Sequence, residues 1–107
     1  MEVTVHTNKL AKQLSRQRER VRNFGFNRAV QLKARLDDLL SVRNLSEVSR
    51  FPPARLHRLS GDKRGLFAVD ISANYRLVFA GFDADHNQST DVFSVVSVMI
   101  FEIEDYH

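Results

Sequence analysis

The chain has 107 residues, of which 43% are hydrophobic and 27% are charged; this composition is typical of one globular domain over residues 1–107. It contains no cysteine, which excludes disulfides, thiolate catalysis and cysteine-based zinc sites. No apolar run reaches the roughly 18 residues needed to cross a bilayer. The start, MEVTVHTNKLAKQL, has an early acid and no apolar segment of a signal peptide. We therefore expect a cytoplasmic protein that does not enter a membrane.

The net charge of +3 hides an uneven distribution along the chain. Residues 1–64 contain 15 Lys and Arg against 6 Asp and Glu, whereas residues 65–107 contain one Arg and 7 Asp and Glu. The basic half is either ordinary solvated helix surface or a face that binds a polyanion. Arg76 is the single cation of the acidic half.

The first half of the chain predicts one strand followed by two helices. EVTVH alternates as a short strand does, and Thr7 or Asn8 can cap the next helix. The apolar residues of that helix recur at roughly helical spacing, at Leu10, Leu14 and Val21. Gly25 interrupts it, and Asn27 is a suitable cap for a second helix that runs to about Leu40. One apolar stripe follows that second helix, formed by Ala29, Leu32, Leu36, Leu39 and Leu40.

The second half predicts a sheet. The two prolines of FPP cannot continue a helix, and after them the apolar period changes to two in RLHRLS, RGLFAVDI and YRLVFAGF. The turn sequences GDK and SAN separate these strands. A polar loop, DADHNQSTD, precedes a closing strand from about Val92 to Tyr106. The order β-α-α-β-β-β-β predicts an α+β fold in which two helices cover one face of a small, mostly antiparallel sheet.

The closing strand ends on groups that can exchange protons. Alternation puts five residues on one face of it, namely Met99, Phe101, Ile103, Asp105 and His107. Tyr106 is expected on the other face unless the strand end twists. An apolar face that ends in Asp and His predicts a site at the lip of the core, where partial burial can shift pKa values. The alternative is a terminal histidine that is merely solvated.

The segment RLHRLSGDKRG concentrates four cations and an imidazole, which together form a phosphate-attracting patch. Arg55 and His57 share one parity and Arg58 has the other, and Lys63 and Arg64 follow at the turn. In the YRLVF strand, Arg76 interrupts an apolar run. It either forms a structural ion pair, with a carboxylate of Asp70, Glu102 or Asp105, or has a functional role. His57, His107 and Asp105 do not form a recognisable metal motif.

The block PPARLHRLSGDKRGLFAVDISANYRLVF, with the ending EIEDYH, resembles the HigB-type toxins of the RelE/ParE superfamily, also called the plasmid maintenance system killer protein family. These are the toxic components of bacterial toxin–antitoxin pairs. The resemblance covers most of the chain and is strongest over residues 52–79 and 102–107. It implies two N-terminal helices on a small antiparallel sheet, in agreement with the pattern of the sequence.

The resemblance also implies an activity, which is cleavage of mRNA on the ribosome without metal or cofactor, inhibited by a HigA-like helix-turn-helix antitoxin. The catalytic motif positions carry over to His57, Arg76, Asp105, Tyr106 and His107. Basic residues expected to bind RNA are Arg55, Arg58, Lys63 and Arg64 near the site, and Lys9, Lys12 and Arg16 on the helices.

The chemistry of RNA cleavage assigns a role to each catalytic position. The 2′-OH must lose a proton, the departing 5′ oxygen must gain one, and charge on the phosphorane must be neutralised. Arg76 is assigned to the phosphate, and His57 and His107 to proton transfer in either order. Asp105 would orient an imidazole or act as the base, and Tyr106 would stack on a base or hold the phosphate.

Two other functions remain open at this point. One is a ParE-like inhibitor of DNA gyrase, although a pure binding protein needs no cluster such as EDYH with His57. The other is a catalytically inactive module that binds only RNA or the antitoxin.

Overall fold

A computed structural model describes residues 1–106, so the predicted catalytic His107 lies outside the described residues. The helices are α1 (Asn8–Leu14), α2 (Gln17–Phe24) and α3 (Phe26–Ser41). The strands are β1 (Glu2–Val5), β2 (His57–Arg58), β3 (Phe67–Asp70), β4 (Tyr75–Phe82) and β5 (Ser97–Asp105). Short 3-10 helices cover Leu45–Glu47 and Gly61–Lys63. The predicted α+β class is confirmed.

The five strands form one sheet in the order β1-β5-β4-β3-β2. Strand β1 runs parallel to β5, and the other three pairs are antiparallel. The sheet is therefore mostly antiparallel, as predicted, with the N-terminal strand placed beside the C-terminal one.

The first predicted helix is two helices, so residues 1–106 contain three α-helices where the sequence predicted two. Thr7 caps α1 by accepting a hydrogen bond from the Leu10 amide at 3.2 Å. The break after Leu14 occurs because Arg16 is extended, with φ −152° and ψ 160°. The buried Arg20 stabilises this break by donating from Nη1 to the Leu14 carbonyl at 2.8 Å, an acceptor that a helix end leaves unpaired.

Gly25 ends α2 as predicted, with φ +83° that other residues rarely adopt. Asn27, predicted as the cap of the next helix, lies instead inside α3, whose N-cap is Gly25 itself.

The three helices cover one face of the sheet, called here the helix-covered face. The main core between them is built from fully buried side chains, including Leu32, Leu39, Phe67, Leu77, Phe79, Val98 and Ile100. Burying a side chain of this size stabilises the fold by about 1.5–3 kcal/mol. The opposite face, called the open face, has a smaller cluster in which Leu59 and Leu66 cover Ala68 and Val78. The rest of the open face is left for polar side chains.

A β-bulge divides β5 into two parts. Val78 of β4 pairs with Glu102, but the next residue, Phe79, pairs with Ile100, so Phe101 is the extra residue. Before the bulge, Val98 and Ile100 point into the core. After it Ile103 packs against that core. The expectation that Met99 and Ile103 share one face is therefore wrong.

Several predicted strands are shorter than the sequence suggested, and β3 covers only Phe67–Asp70 of RGLFAVDI. Only His57 and Arg58 of RLHRLS pair as β2, and β5 begins at Ser97 rather than near Val92. The segment before β5 forms a turn that packs on β4 at Gly81, where a Cβ would lie 2.7 Å from Val95 Cγ2. This close approach requires glycine at that position.

Candidate functional site

The strand register brings two of the predicted catalytic residues, His57 and Arg76, onto the open face in two rows. His57 pairs with Ala68, Ala68 with Val78, and Val78 with Glu102. One step along the sheet, the second row contains Asp70, Arg76 and Glu104. Directly paired residues of neighbouring strands share a face, and the buried Ala68 and Val78 identify it as the open face.

Arg76 is held by a carboxylate and an aromatic ring. Its Nε donates to Glu104 Oε1 at 2.7 Å, and its Nη2 lies 2.5 Å from the same oxygen. The guanidinium also lies over the Tyr106 ring, 4.4 Å from the centroid. The sequence left open whether Arg76 forms a structural ion pair or has a functional role, and it offered Asp70, Glu102 or Asp105 as the partner. The partner is Glu104, because the bulge puts Glu104 directly opposite Arg76.

Lys63 enters the same cluster from the connection between β2 and β3. Its Nζ lies 2.9 Å from Glu102 Oε1 and 2.9 Å from Glu104 Oε2. These hydrogen bonds, that to Glu104 first, raise the pKa of Lys63 above its ordinary value. Burial by itself would raise the pKa of Glu104, but hydrogen bonds from Lys63 and Arg76 outweigh it and hold that pKa below the ordinary value. Glu104 is therefore ionised at neutral pH and bound to two cations.

Arg55 is the third cation of the open face that forms an ion pair. Its Nε and Nη2 donate to the two carboxylate oxygens of Asp70 at 2.6 and 3.0 Å. This two-point pair raises the pKa of Arg55, and the neighbouring Tyr106 hydroxyl adds to the effect. Arg55 also has φ +48°, and this left-handed conformation costs a residue with a side chain about 1–2 kcal/mol. The pair with Asp70 offsets this strain and fixes the Arg55 backbone.

That backbone orients His57. The His57 Nδ1 lies 2.8 Å from the Arg55 carbonyl oxygen. A carbonyl oxygen only accepts, so Nδ1 carries the hydrogen and donates it. In the neutral imidazole Nε2 then has a free lone pair. His57 is half-buried, and it is arranged to take up a proton at Nε2.

Tyr106 completes the cluster. Its amide donates to the Asn74 carbonyl at 3.0 Å, which anchors the end of the chain to the β3–β4 turn. Its ring covers Arg76. Asp105, the neighbouring residue, pairs with Tyr75, whose ring packs towards the helix-covered core. The predicted difference in side between Asp105 and Tyr106 therefore agrees with the register.

The other predicted RNA-binding residues are not all part of this cluster. Arg58 pairs with Phe67 on the helix-covered side of β3 and donates twice to the Thr90 carbonyl, at 3.0 and 2.7 Å. Arg64 is exposed directly after Lys63. The remaining three are exposed and belong to α1 and its C-terminal end: Lys9, Lys12 and Arg16. They lie on the helical layer, across the sheet from the open face.

Sequence reasoning did not single out Glu104 or the pairing of Arg55 with Asp70. A signal for Glu104 was present, because EIE places two carboxylates at a spacing of two in a strand that must neighbour the strand of Arg76. Reading that signal required the register, which the bulge changes. Within residues 1–106, no three His, Asp or Glu side chains are placed to share a metal ion. No helix of that part of the chain is long and apolar enough to span a bilayer.

Comparisons with known proteins bear on the fold. No protein-family model matches the chain, and no curated protein matches it. A solved structure described as a YoeB/ParE toxin from Agrobacterium tumefaciens is similar over 100% of both chains, with a TM-score of 0.60 and 10% sequence identity. The fold is that of a RelE/ParE-type toxin. At this identity the likeness establishes the fold alone, and it agrees with the fold that the sequence resemblance implied.

Proposed function

We propose that this chain is the toxin of a type II toxin–antitoxin pair and cuts mRNA on the ribosome, as HigB-type toxins do. The observation that carries the proposal is the open-face cluster, in which an imidazole with a free Nε2, an arginine and a tyrosine lie together. This combination is suited to moving a proton and neutralising a phosphate. A protein that only binds DNA gyrase or an antitoxin would have no need of it.

The proposed reaction needs no group from outside the chain. His57 Nε2 takes the proton of the 2′-OH as that oxygen attacks the adjacent phosphorus. The bond from phosphorus to the 5′ oxygen breaks, and that oxygen takes a proton from an acid. The products are a 2′,3′-cyclic phosphate and a free 5′-OH. We assign the acid to the terminal Asp105–His107 segment, with His107 as the candidate.

Arg76 and Tyr106 would act on the phosphate and its neighbouring base. A fixed guanidinium stabilises the charge of the phosphorane by about 3 kcal/mol. The Tyr106 ring, which already stacks on Arg76, can accept a splayed base on its other side. The backbones of His57 and Arg76 are two strand spacings and two residues apart on the sheet, about 12 Å, which leaves room for one ribose and its phosphate.

The helical layer would make the contacts with the ribosome. Lys9, Lys12 and Arg16 are exposed, and unpaired cations on a surface attract a polyanion over a distance. The partner that inhibits the toxin is expected to be a HigA-like antitoxin with a helix-turn-helix domain, acting in the cytoplasm.

The test is mapping of mRNA 5′ ends with purified protein and translating ribosomes, using wild type, His57→Ala and His86→Asn. His86 is an exposed imidazole in the loop after β4, and asparagine tolerates its positive φ of +66°. We expect new ends inside the reading frame with wild type and His86→Asn. His57→Ala should reduce the cleavage rate by about 10²–10⁴-fold.

Equal cleavage by all three proteins would remove His57 from the reaction. No cleavage by folded wild type would contradict the nuclease proposal. A DNA supercoiling assay with gyrase would then decide between the gyrase inhibitor and the inactive binding module.

A further inference from the structure

The cations of the open-face cluster are all engaged by carboxylates of the chain itself. Arg55 is paired with Asp70, Lys63 with Glu102 and Glu104, and Arg76 with Glu104. These three cations face three carboxylates, so their formal charges cancel. A site that is to hold an RNA phosphate is thus occupied by negative charge before any RNA arrives.

Glu104 differs from the other two carboxylates because it bridges two cations. Its Oε1 receives Arg76 and its Oε2 receives Lys63, at distances between 2.5 and 2.9 Å. A phosphodiester has the same means of contact, namely two charged oxygens on one atom that can each accept from a different cation. The carboxylate of Glu104 therefore makes the two contacts that a phosphate would make.

Burial favours Glu104 over Glu102 in this role. The side chains of Glu104 and Arg76 are 16% and 18% exposed, whereas that of Glu102 is 46% exposed. Ion pairs that water reaches are weak. The pair of Glu104 and Arg76 is largely shielded from water and holds more firmly.

We propose that Glu104 occupies the phosphate position of the site and competes with RNA for Arg76 and Lys63. This inference rests on the proposed RNA-cleaving function and deepens it. RNA binds productively only where it displaces the Glu104 carboxylate from both cations. Free RNA, which gains few other contacts, binds weakly, whereas mRNA held on the ribosome is presented at a high local concentration and displaces it.

The experiment measures binding of a short, fluorescein-labelled, single-stranded RNA of mixed sequence by fluorescence anisotropy over a range of salt concentrations. Its riboses are 2′-O-methylated, so that it cannot be cut. The variants are Glu104→Gln, Glu102→Gln and Asp37→Asn. Asp37 is the matched control, because it pairs with Lys33 on the helical layer and is 57% exposed, and its substitution changes the net charge by the same amount.

We expect Glu104→Gln to bind the RNA about tenfold more tightly than wild type, because two charge-assisted contacts become available. The plot of log affinity against log salt should steepen by about 0.7, since each phosphate neutralised on a single strand contributes about that much and one phosphate takes the place of Glu104. Glu102→Gln should have a smaller effect, and Asp37→Asn should behave as wild type.

Glu104→Gln that binds as weakly as wild type, or more weakly, with an unchanged salt slope, would overturn the proposal. Glu104 would then serve only to align Arg76. Circular dichroism and thermal melting establish that the variant is folded. If Glu104→Gln does not fold, Glu104→Asp takes its place, because aspartate keeps the charge but its side chain is too short to reach both cations. Glu104→Asp should steepen the salt slope by about 0.7. An unchanged salt slope would again overturn the proposal.

Failure of this inference is distinguishable from failure of the proposed function. If wild type does not bind the RNA measurably, binding by Glu104→Gln supports the competition and its absence overturns it. If Glu104→Gln binds tightly but wild type cuts no mRNA on ribosomes, the competition stands and the nuclease proposal fails.

Discussion

The two basic surfaces of this protein differ in what their cations contact. On the helical layer, Lys9, Lys12 and Arg16 are exposed, and among residues 1–106 none of them takes part in an ion pair. On the open face, Arg55, Lys63 and Arg76 are each bound to a carboxylate. The first surface therefore generates a positive field that reaches into solvent, and the second has cations in fixed positions with their charge balanced.

This difference indicates two kinds of contact with RNA. Unpaired cations attract any polyanion, with an affinity that falls steeply with salt. Paired cations bind only a ligand whose geometry matches theirs well enough to replace the carboxylate. Net charge alone, which is what the sequence displays, does not separate the two.

Among the variants that test this comparison of the two surfaces, the largest effect is expected from Arg76. Arg76→Ala should lower the rate of mRNA cleavage at saturating ribosomes by about 10²-fold or more, because the phosphorane loses its fixed cation. Arg76→Lys keeps the charge but not the planar guanidinium. Its cleavage rate should lie between those of Arg76→Ala and wild type, about tenfold below wild type. Single-turnover cleavage measures both. Cleavage by Arg76→Ala at the wild-type rate would end the distinction between the two surfaces.

A smaller effect is expected on the helical layer. The triple variant Lys9→Gln, Lys12→Gln, Arg16→Gln should weaken ribosome binding by about tenfold and reduce its salt slope by about 2–3. The rate of the chemical step at saturating ribosomes should not change, because these residues lie across the sheet from the site.

The matched control for that variant replaces three other exposed cations by glutamine, Lys33, Arg43 and Arg50, so the net charge is the same. Equal loss of binding in both triple variants would mean that total charge, and not this surface, determines the affinity.

The smallest effect concerns stability in acid. The pKa of Glu104 is held below its ordinary value of about 4.5 by Lys63 and Arg76. Its contribution to the free energy of unfolding is therefore fully present above that ordinary value and is lost as the pH falls through the folded-state pKa. Urea unfolding at a series of acidic pH values should give a shallower loss of stability for Glu104→Gln than for wild type.

Part of the acid dependence should remain in Glu104→Gln. The pKa of Glu47 is lowered by hydrogen bonds from the Arg43 and Asn44 amides, and that of Asp91 by Ser94 and the Phe93 amide. If Glu104→Gln and wild type lose the same free energy of unfolding as the pH falls, the two ion pairs of Glu104 do not stabilise the fold.

Much of the architecture followed from local patterns. The Thr7 cap, the break at Gly25 and the change of period after FPP are each written in a few adjacent residues, and α+β class follows from them. The break between α1 and α2 did not, because neither Ser15 nor Arg16 is a helix breaker and the contact that stabilises the break comes from Arg20.

The candidate site was predictable in its residue types but not in its pairing. His57, Arg76 and Tyr106 were expected together from the sequence resemblance, and the structure brings them to one face. The partner of Arg76 was not predictable, because it depends on which residues of β4 and β5 lie opposite each other. The positive φ of Arg55, which directs its carbonyl at His57, is likewise a product of tertiary contacts.

The bulge at Phe101 changes which face of the sheet the even-numbered residues of β5 point to. Upstream of it the even-numbered residues of β5 build the core, and downstream the even-numbered residues Glu102 and Glu104 face solvent beside Lys63 and Arg76. Since the side-chain period of a strand is two, a strand with the same residues but no bulge would send both carboxylates into the helix-covered core. One extra residue thus lets a strand whose apolar and acidic residues share the same parity bury the first group and expose the second.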